Sequence, residues 1–170
     1  MTLAMTRSVL SFLAVLVAAL AVAGGPAVRR AEAGARLDGS ERAVIRLLNR
    51  VRAQYGLPRL HASPGLNRAA DRHSLEMVAG AYFDHPSSDG TPYDRRVRRY
   101  AHASAVGETL ATLSRPGGGA AQVVQMWMAS PPHRAIILTG TFRRVGVARR
   151  WGWLGGAGRA VVTADFASRR

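Results

Sequence analysis

The sequence has no cysteine and no lysine, and only 10 of its 170 residues are acidic. Without cysteine there are no disulfides, thiol nucleophiles, zinc ribbons or iron–sulfur ligands, and no residue to acylate as a lipoprotein anchor. The domain must therefore hold itself together by burial. Because lysine is absent, all 24 basic side chains are arginine, giving a formal net charge of +14. No long basic run is interleaved with aromatics, so specific nucleic-acid recognition is not expected. General attraction to acidic polymers is. Long apolar runs are scarce too. The main one, Ser8 to Val22, is short for a membrane-spanning helix, which needs about 20 residues.

That run follows a short segment charged by Arg7 and precedes the small-residue sites Ala21-Val22-Ala23 and Ala31-Glu32-Ala33. The arrangement reads as a secretory signal peptide over residues 1–33, cleaved on export, with an uncleaved membrane anchor as the alternative. A short leader, 34–39, would then precede one domain over 40–168, long enough to bury a core without staples. Without Arg7, Arg29, Arg30 and Glu32, the remainder carries 21 basic and 9 acidic side chains, or +12.

Along that domain the periodicity changes from helical to alternating. Ser40 is placed to cap a helix from Glu41 to about Gln54, with Val44, Leu47, Leu48 and Val51 on one face. Ser63-Pro64 opens a second helix running to about Val78, with Leu66, Ala70, His73 and Met77 on one stripe and Gly80 as its stop. Pro86 to Pro92 is a loop. Tyr93 to Tyr100 is a short basic helix, in which Arg95-Arg96-Val97-Arg98-Arg99 reads as a solvated face. Gly107 to Leu113 is a strand, Arg115 to Gly119 a turn, and Ala120 to Ser130 a third long helix stopped by Pro131-Pro132. Val145 to Trp153 and Ala160 to Ala167 alternate as a hairpin around a Gly-rich turn. The class is α+β.

Three residues in Gly-, Pro- or Ser-rich segments carry most of the chemistry: His85 in YFDHPSSDG, Glu108 in GETLA and His133 in WMASPPHRAIIL. Loops and element ends on a packed scaffold are where binding and catalytic groups tend to sit. Two imidazoles and a carboxylate could form a weak metal site, with His85 and His133 as ligands of Zn²⁺, or an acid–base pair, if folding brings them together. Buried unpaired, Glu108 would be costly, so a partner such as His85 or His133 is expected. His73, on the apolar stripe, reads as a core histidine, and Trp127 as core. Ser130 has no nucleophile elbow and no Asp to orient a histidine, which argues against a serine hydrolase.

LLNRVRAQYGLPRLHASPGLNRAADRHSLEMVAGAYFDHPSSDGTPYDR, GETLA, VVQMWMASPPHRAIIL, TFRRVGVA and TADFA together resemble the bacterial, SCP-like branch of the CAP superfamily. That superfamily is named for cysteine-rich secretory, antigen 5 and pathogenesis-related 1 proteins. The resemblance implies an α–β–α sandwich with a central antiparallel sheet and a surface cleft holding His85, Glu108 and His133. It also implies a second cleft glutamate just after the tryptophan of the third helix, where this chain has Trp127-Met128-Ala129-Ser130; the set here is a triad. The function implied is a secreted, extracellular or envelope binding protein, more in keeping with binding than with catalysis, taking a small-molecule, lipid or peptide ligand as a monomer. A metal-assisted extracellular hydrolase and a structural envelope protein held by charge are the alternatives.

Overall fold

A computed structural model describes residues 37–114 and 119–169. The signal peptide and half of the leader expected from the sequence lie outside those residues, as does most of the turn expected at Arg115 to Gly119. The elements run α1 (Gly39–Gln54), β1 (His61–Ala62), α2 (Pro64–Ala79), α3 (Tyr93–Arg98), β2 (Val106–Leu113), α4 (Ala120–Ala129), α5 (Pro131–Ile137), β3 (Phe142–Leu154) and β4 (Ala157–Ser168).

The fold is α+β: one four-stranded sheet, ordered β1-β3-β4-β2, between two helical layers. β2, β4 and β3 pair antiparallel, and the two-residue β1 adds a parallel edge to β3. Residues of β2 and β4 alternate between the layers. Ala111, Leu113, Ala160, Val162, Ala164 and Phe166 join Leu48 of α1 and Trp127 of α4 in the main core. The Trp127 indole donates to the Leu110 carbonyl at 2.9 Å, so its polar edge is satisfied while its rings are buried. On the opposite side, Leu66 of α2 packs with Val97 and Ala167, and Met77 with Leu110 and Val161.

Two glycines set how closely the layers approach. A Cβ at Gly146 of β3 would lie 2.1 Å from the backbone carbon of Leu66, so α2 rests directly on β3 only because that atom is missing. A Cβ at Gly107 would meet Ile136 Cγ2 at 3.0 Å and the Phe142 ring at 3.1 Å. The Gly of GETLA thus lets α5 sit against β2 beside Glu108.

Local signals worked where chemistry was unambiguous. Ser63 caps α2, with Pro64 in the first turn. α1 differs: its cap is Asp38, whose carboxylate accepts from Glu41 N while the Glu41 side chain accepts from Asp38 N, both at 2.8 Å. Ser40, expected as the cap, lies inside the helix and donates to Asp38. Pro131-Pro132 end α4 but also open α5, because proline in a first helical turn forfeits no needed hydrogen bond. β3 and β4 are longer than their alternation suggested, meeting at Leu154 and Ala157.

Arg52 is fully buried, and its guanidinium is satisfied by backbone. It donates to the carbonyls of Pro58, Ile137, Thr139 and Phe142 at 2.6–3.1 Å, tying α1 to the end of α5 and the start of β3.

Candidate functional site

Glu108 projects from β2 with no exposure to solvent. Its Oε1 lies 2.8 Å from His85 Nδ1, and its Oε2 accepts from the Arg96 guanidinium. His85 comes from the loop after α2 and keeps 42% of its side-chain surface exposed. The His133 ring, from the first turns of α5, lies 6.3 Å from that of His85 between centroids, and Tyr93 lies 5.9 Å away on another side. The three residues singled out in the sequence therefore converge. His133 sits in α5, the helix that Pro131-Pro132 open.

Three further residues organise this cluster and were not legible as such. Arg96, which the sequence places on a solvated face, is only 6% exposed. Besides binding Glu108, it donates to the carbonyl of His85 at 2.9 Å and to Ser87 Oγ at 3.2 Å. One guanidinium thus holds both the carboxylate and the loop that brings the histidine to it. The exposed arginines beside it, Arg95, Arg98 and Arg99, do fit a solvated face.

Glu76 anchors the same loop from α2. Its Oε1 accepts from Ser88 N at 2.8 Å and Ser88 Oγ at 2.6 Å. Burial opposes its ionisation, but the two Ser88 bonds and the contact with His73 outweigh this and hold its carboxyl down to about 2. His73 is a core histidine as expected, fully buried, with Nε2 3.0 Å from the Asp84 carbonyl.

Asp165 is the second buried acid. It sits on β4 directly across from Glu108, with no exposure, and neither carboxyl oxygen makes a well-formed hydrogen bond among the described residues. Burial pushes its pKa well above the ordinary carboxylate range, and the Glu108 charge pushes it further than Arg96 can offset. Two ionised carboxylates buried this close would repel, which favours a proton on Asp165. His133 is shifted the other way: burial first, then the neighbouring His85, favour its neutral form.

A metal can be tested against this donor set. The separation of the imidazoles is within reach of one shared ion at bond lengths of about 2 Å. Glu108 has both oxygens committed. Among the described residues, no group of three or more His, Cys, Asp or Glu is arranged to hold a metal ion. The site fits an ion held by two imidazoles and solvent, and does not fit a closed structural zinc centre. Surface cavities of about 420 Å³ near Pro131 and about 450 Å³ near Arg143 are lined by neither His85 nor His133.

Residues 45–163 match the profile of CAP, the cysteine-rich secretory protein family. The chain belongs to that family. Among relatives, the uncharacterized protein YkwD of Bacillus subtilis is 32% identical over 108 residues, covering 63% of this chain and 41% of YkwD. The uncharacterized membrane protein YlbC of the same organism is 28% identical over 131 residues, covering 76% of this chain and 35% of YlbC. The chain thus spans well under half the length of either. Among solved structures, an extracellular SCP-domain protein from Bacillus anthracis superposes with a TM-score of 0.64 at 24% identity, over 77% of this chain and 41% of that one. An outer surface protein from Borrelia burgdorferi does so with a TM-score of 0.65 at 19% identity, over 79% and 97%. Both share the sandwich fold.

Proposed function

We propose that this chain is an exported CAP domain that binds a ligand through a cleft formed by His85, Glu108 and His133, without turning it over. One observation carries the reading: both oxygens of Glu108 are engaged, one by His85 and one by Arg96. A metal-assisted hydrolase needs a base free to take a proton from water, and a carboxylate gripped by a guanidinium is poorly suited to that. A carboxylate on Nδ1 instead fixes the tautomer and orientation of an imidazole and leaves Nε2 as the working atom. Such a pair of imidazoles suits a polar or acidic group on a small molecule, lipid or peptide, and a weakly held Zn²⁺.

Export is supported by the extracellular and outer-surface descriptions of the two structural neighbours. It is also supported by the signal-like segment over residues 1–33, and no helix among the described residues is long and apolar enough to cross a membrane. With no cysteine to acylate, retention at a cell surface would rest on charge. A wash with roughly molar salt, which shortens screening to about 3 Å, then releases the protein, whereas an uncleaved anchor yields only to detergent.

The function is tested by supplying zinc and a generic protein substrate to wild type and to the His85→Ala/His133→Ala variant. Background rates from both are expected. Turnover by wild type that vanishes in the double variant would establish the hydrolase alternative.

A further inference from the structure

One end of the sheet, where β2 and β3 begin and β4 ends, carries a cavity of about 450 Å³ lined by Ser104, Thr141, Arg143, Ser168 and Arg169. None of these side chains is apolar. Three stretches of chain meet there, 102–105, 139–144 and 166–169. Together they hold three arginines, one histidine and no acidic residue.

A bulge aims Arg143. Phe142 pairs with Ser168 and Arg144 with Ala167, so Arg143 is the extra residue of β3 and has no place in the ladder. Bulges re-aim a side chain in this way. Its Nη1 donates to the carbonyls of Gly140 at 2.5 Å and Phe142 at 2.9 Å. Nε and Nη2, the edge of a guanidinium that holds an oxyanion through two parallel bonds, make no hydrogen bond among the described residues. The exposed Arg169 guanidinium is likewise uncommitted among them. The frame around these two arginines is tied by backbone. Ser168 N donates to the Ala105 carbonyl at 2.9 Å, and Ala105 N to Ser168 Oγ at 3.2 Å. Carbonyls that would repel an anion are already taken. Arg144 donates to those of His102 and Ser168, both at 2.8 Å, and Arg98 to that of Ser104 at 3.2 Å. Arg98 shares its charge with Asp94, whereas Arg143 and Arg169 have no acidic partner among the described residues.

We infer that this cavity binds a phosphate ester of a sugar or polyol, its phosphate held by Arg143 and Arg169 and its hydroxylated body lying against Ser104, Thr141 and Ser168. Guanidinium forks recognise phosphate by geometry as well as by charge. The cavity is many times the volume of a water molecule, about 30 Å³ in the liquid, so it takes more than the phosphate alone. A lining without apolar side chains selects a polar body over an acyl chain. The cavity shares no residue with the His85–Glu108–His133 cluster, and the inference does not rest on that cluster's function.

The test is calorimetry with amide NMR shifts at about 0.15 M salt, titrating sn-glycerol 3-phosphate, glycerol and phosphatidylglycerol vesicles. The proteins compared are wild type, Arg143→Gln/Arg169→Gln, His85→Ala/His133→Ala and Arg46→Gln/Arg50→Gln. The last pair removes the same charge from exposed positions of α1, and thermal melts check folding. Wild type should bind glycerol 3-phosphate and not glycerol, moving the amides of Thr141, Arg143 and Arg169. Arg143→Gln/Arg169→Gln should weaken binding by roughly tenfold or more, the scale of losing charge-assisted hydrogen bonds, while the other two variants match wild type. The same pattern on vesicles without binding of the free ester keeps the site and assigns its phosphate to a lipid headgroup. Equal losses from the two arginine pairs would reduce the effect to bulk charge and overturn the proposal. Loss confined to the histidine variant overturns it too, as does binding of neither ester nor vesicles.

Discussion

Arg96 and Glu108 form a buried ion pair across α3 and β2, and the same guanidinium carries the His85 carbonyl. Removing one partner strands the other. The Arg96→Met variant is expected to lose about 3–5 kcal/mol in denaturant unfolding, the scale for breaking a buried pair by deleting one side. Arg96→Met/Glu108→Gln should lose markedly less than the sum of the two single variants. Additive losses would show that the two residues do not depend on each other.

Asp165 gives a pH signature. Its folded-state pKa is raised, so its favourable contribution is complete below its unfolded value near 4 and is lost as pH rises toward the folded value. Asp165→Asn, which keeps the shape without a proton to hold, should be more stable than wild type at pH 7 and lose that advantage near pH 4. Melting curves across that range check the sign. An Asn variant less stable at pH 7 than at pH 4, relative to wild type, would mean that the carboxylate is ionised and paired.

Glu76 behaves oppositely. Its carboxyl is held down at about 2, so its contribution is present above the unfolded value near 4.3 and disappears as pH falls toward 2. Glu76→Gln should cost on the order of 2 kcal/mol at pH 7, after allowance for solvent screening, and little near pH 2. Amide exchange should quicken at Ser88 first, since Glu76 holds that amide directly.

Much of this architecture could be read from the chain because its signals are local. The Ser63-Pro64 cap, the alternation from Val145 to Trp153 and the Gly of GETLA each act within a few residues. His85, Glu108 and His133 were recognisable through the motifs around them. The supporting residues were not, because their roles are set by tertiary contact. Arg96 sits among four arginines that look alike in sequence, and only the helical turn that also buries Val97 points it inward. Asp165 lies in a strand buried on both faces, where a lone carboxylate in TADFA is a signal that could have been followed. Glu76 has the sequence of a solvated helix residue, and only the loop folded back onto it gives it a role.

His133 is biased toward its neutral form by burial and by His85, so it keeps its capacity to ligate down to lower pH than an ordinary imidazole. Zn²⁺ binding through the pair should accordingly be weak at neutral pH and fade as pH falls below about 6. Calorimetry at pH 7.5 and 5.5 checks this. Equal heats at both values, or equal heats from wild type and His85→Ala/His133→Ala, would remove the pair as a metal site.

The most direct test of the account is a long-range ¹⁵N spectrum of the imidazoles recorded during a Zn²⁺ titration at pH 7.5. Glu108 against Nδ1 predicts that His85 carries its proton on Nδ1, that its Nε2 resonance and the His133 ring resonances move together as zinc is added, and that His61, His73 and His102 stay in place. A His85 protonated on Nε2, or shifts confined to histidines other than His85 and His133, would contradict it.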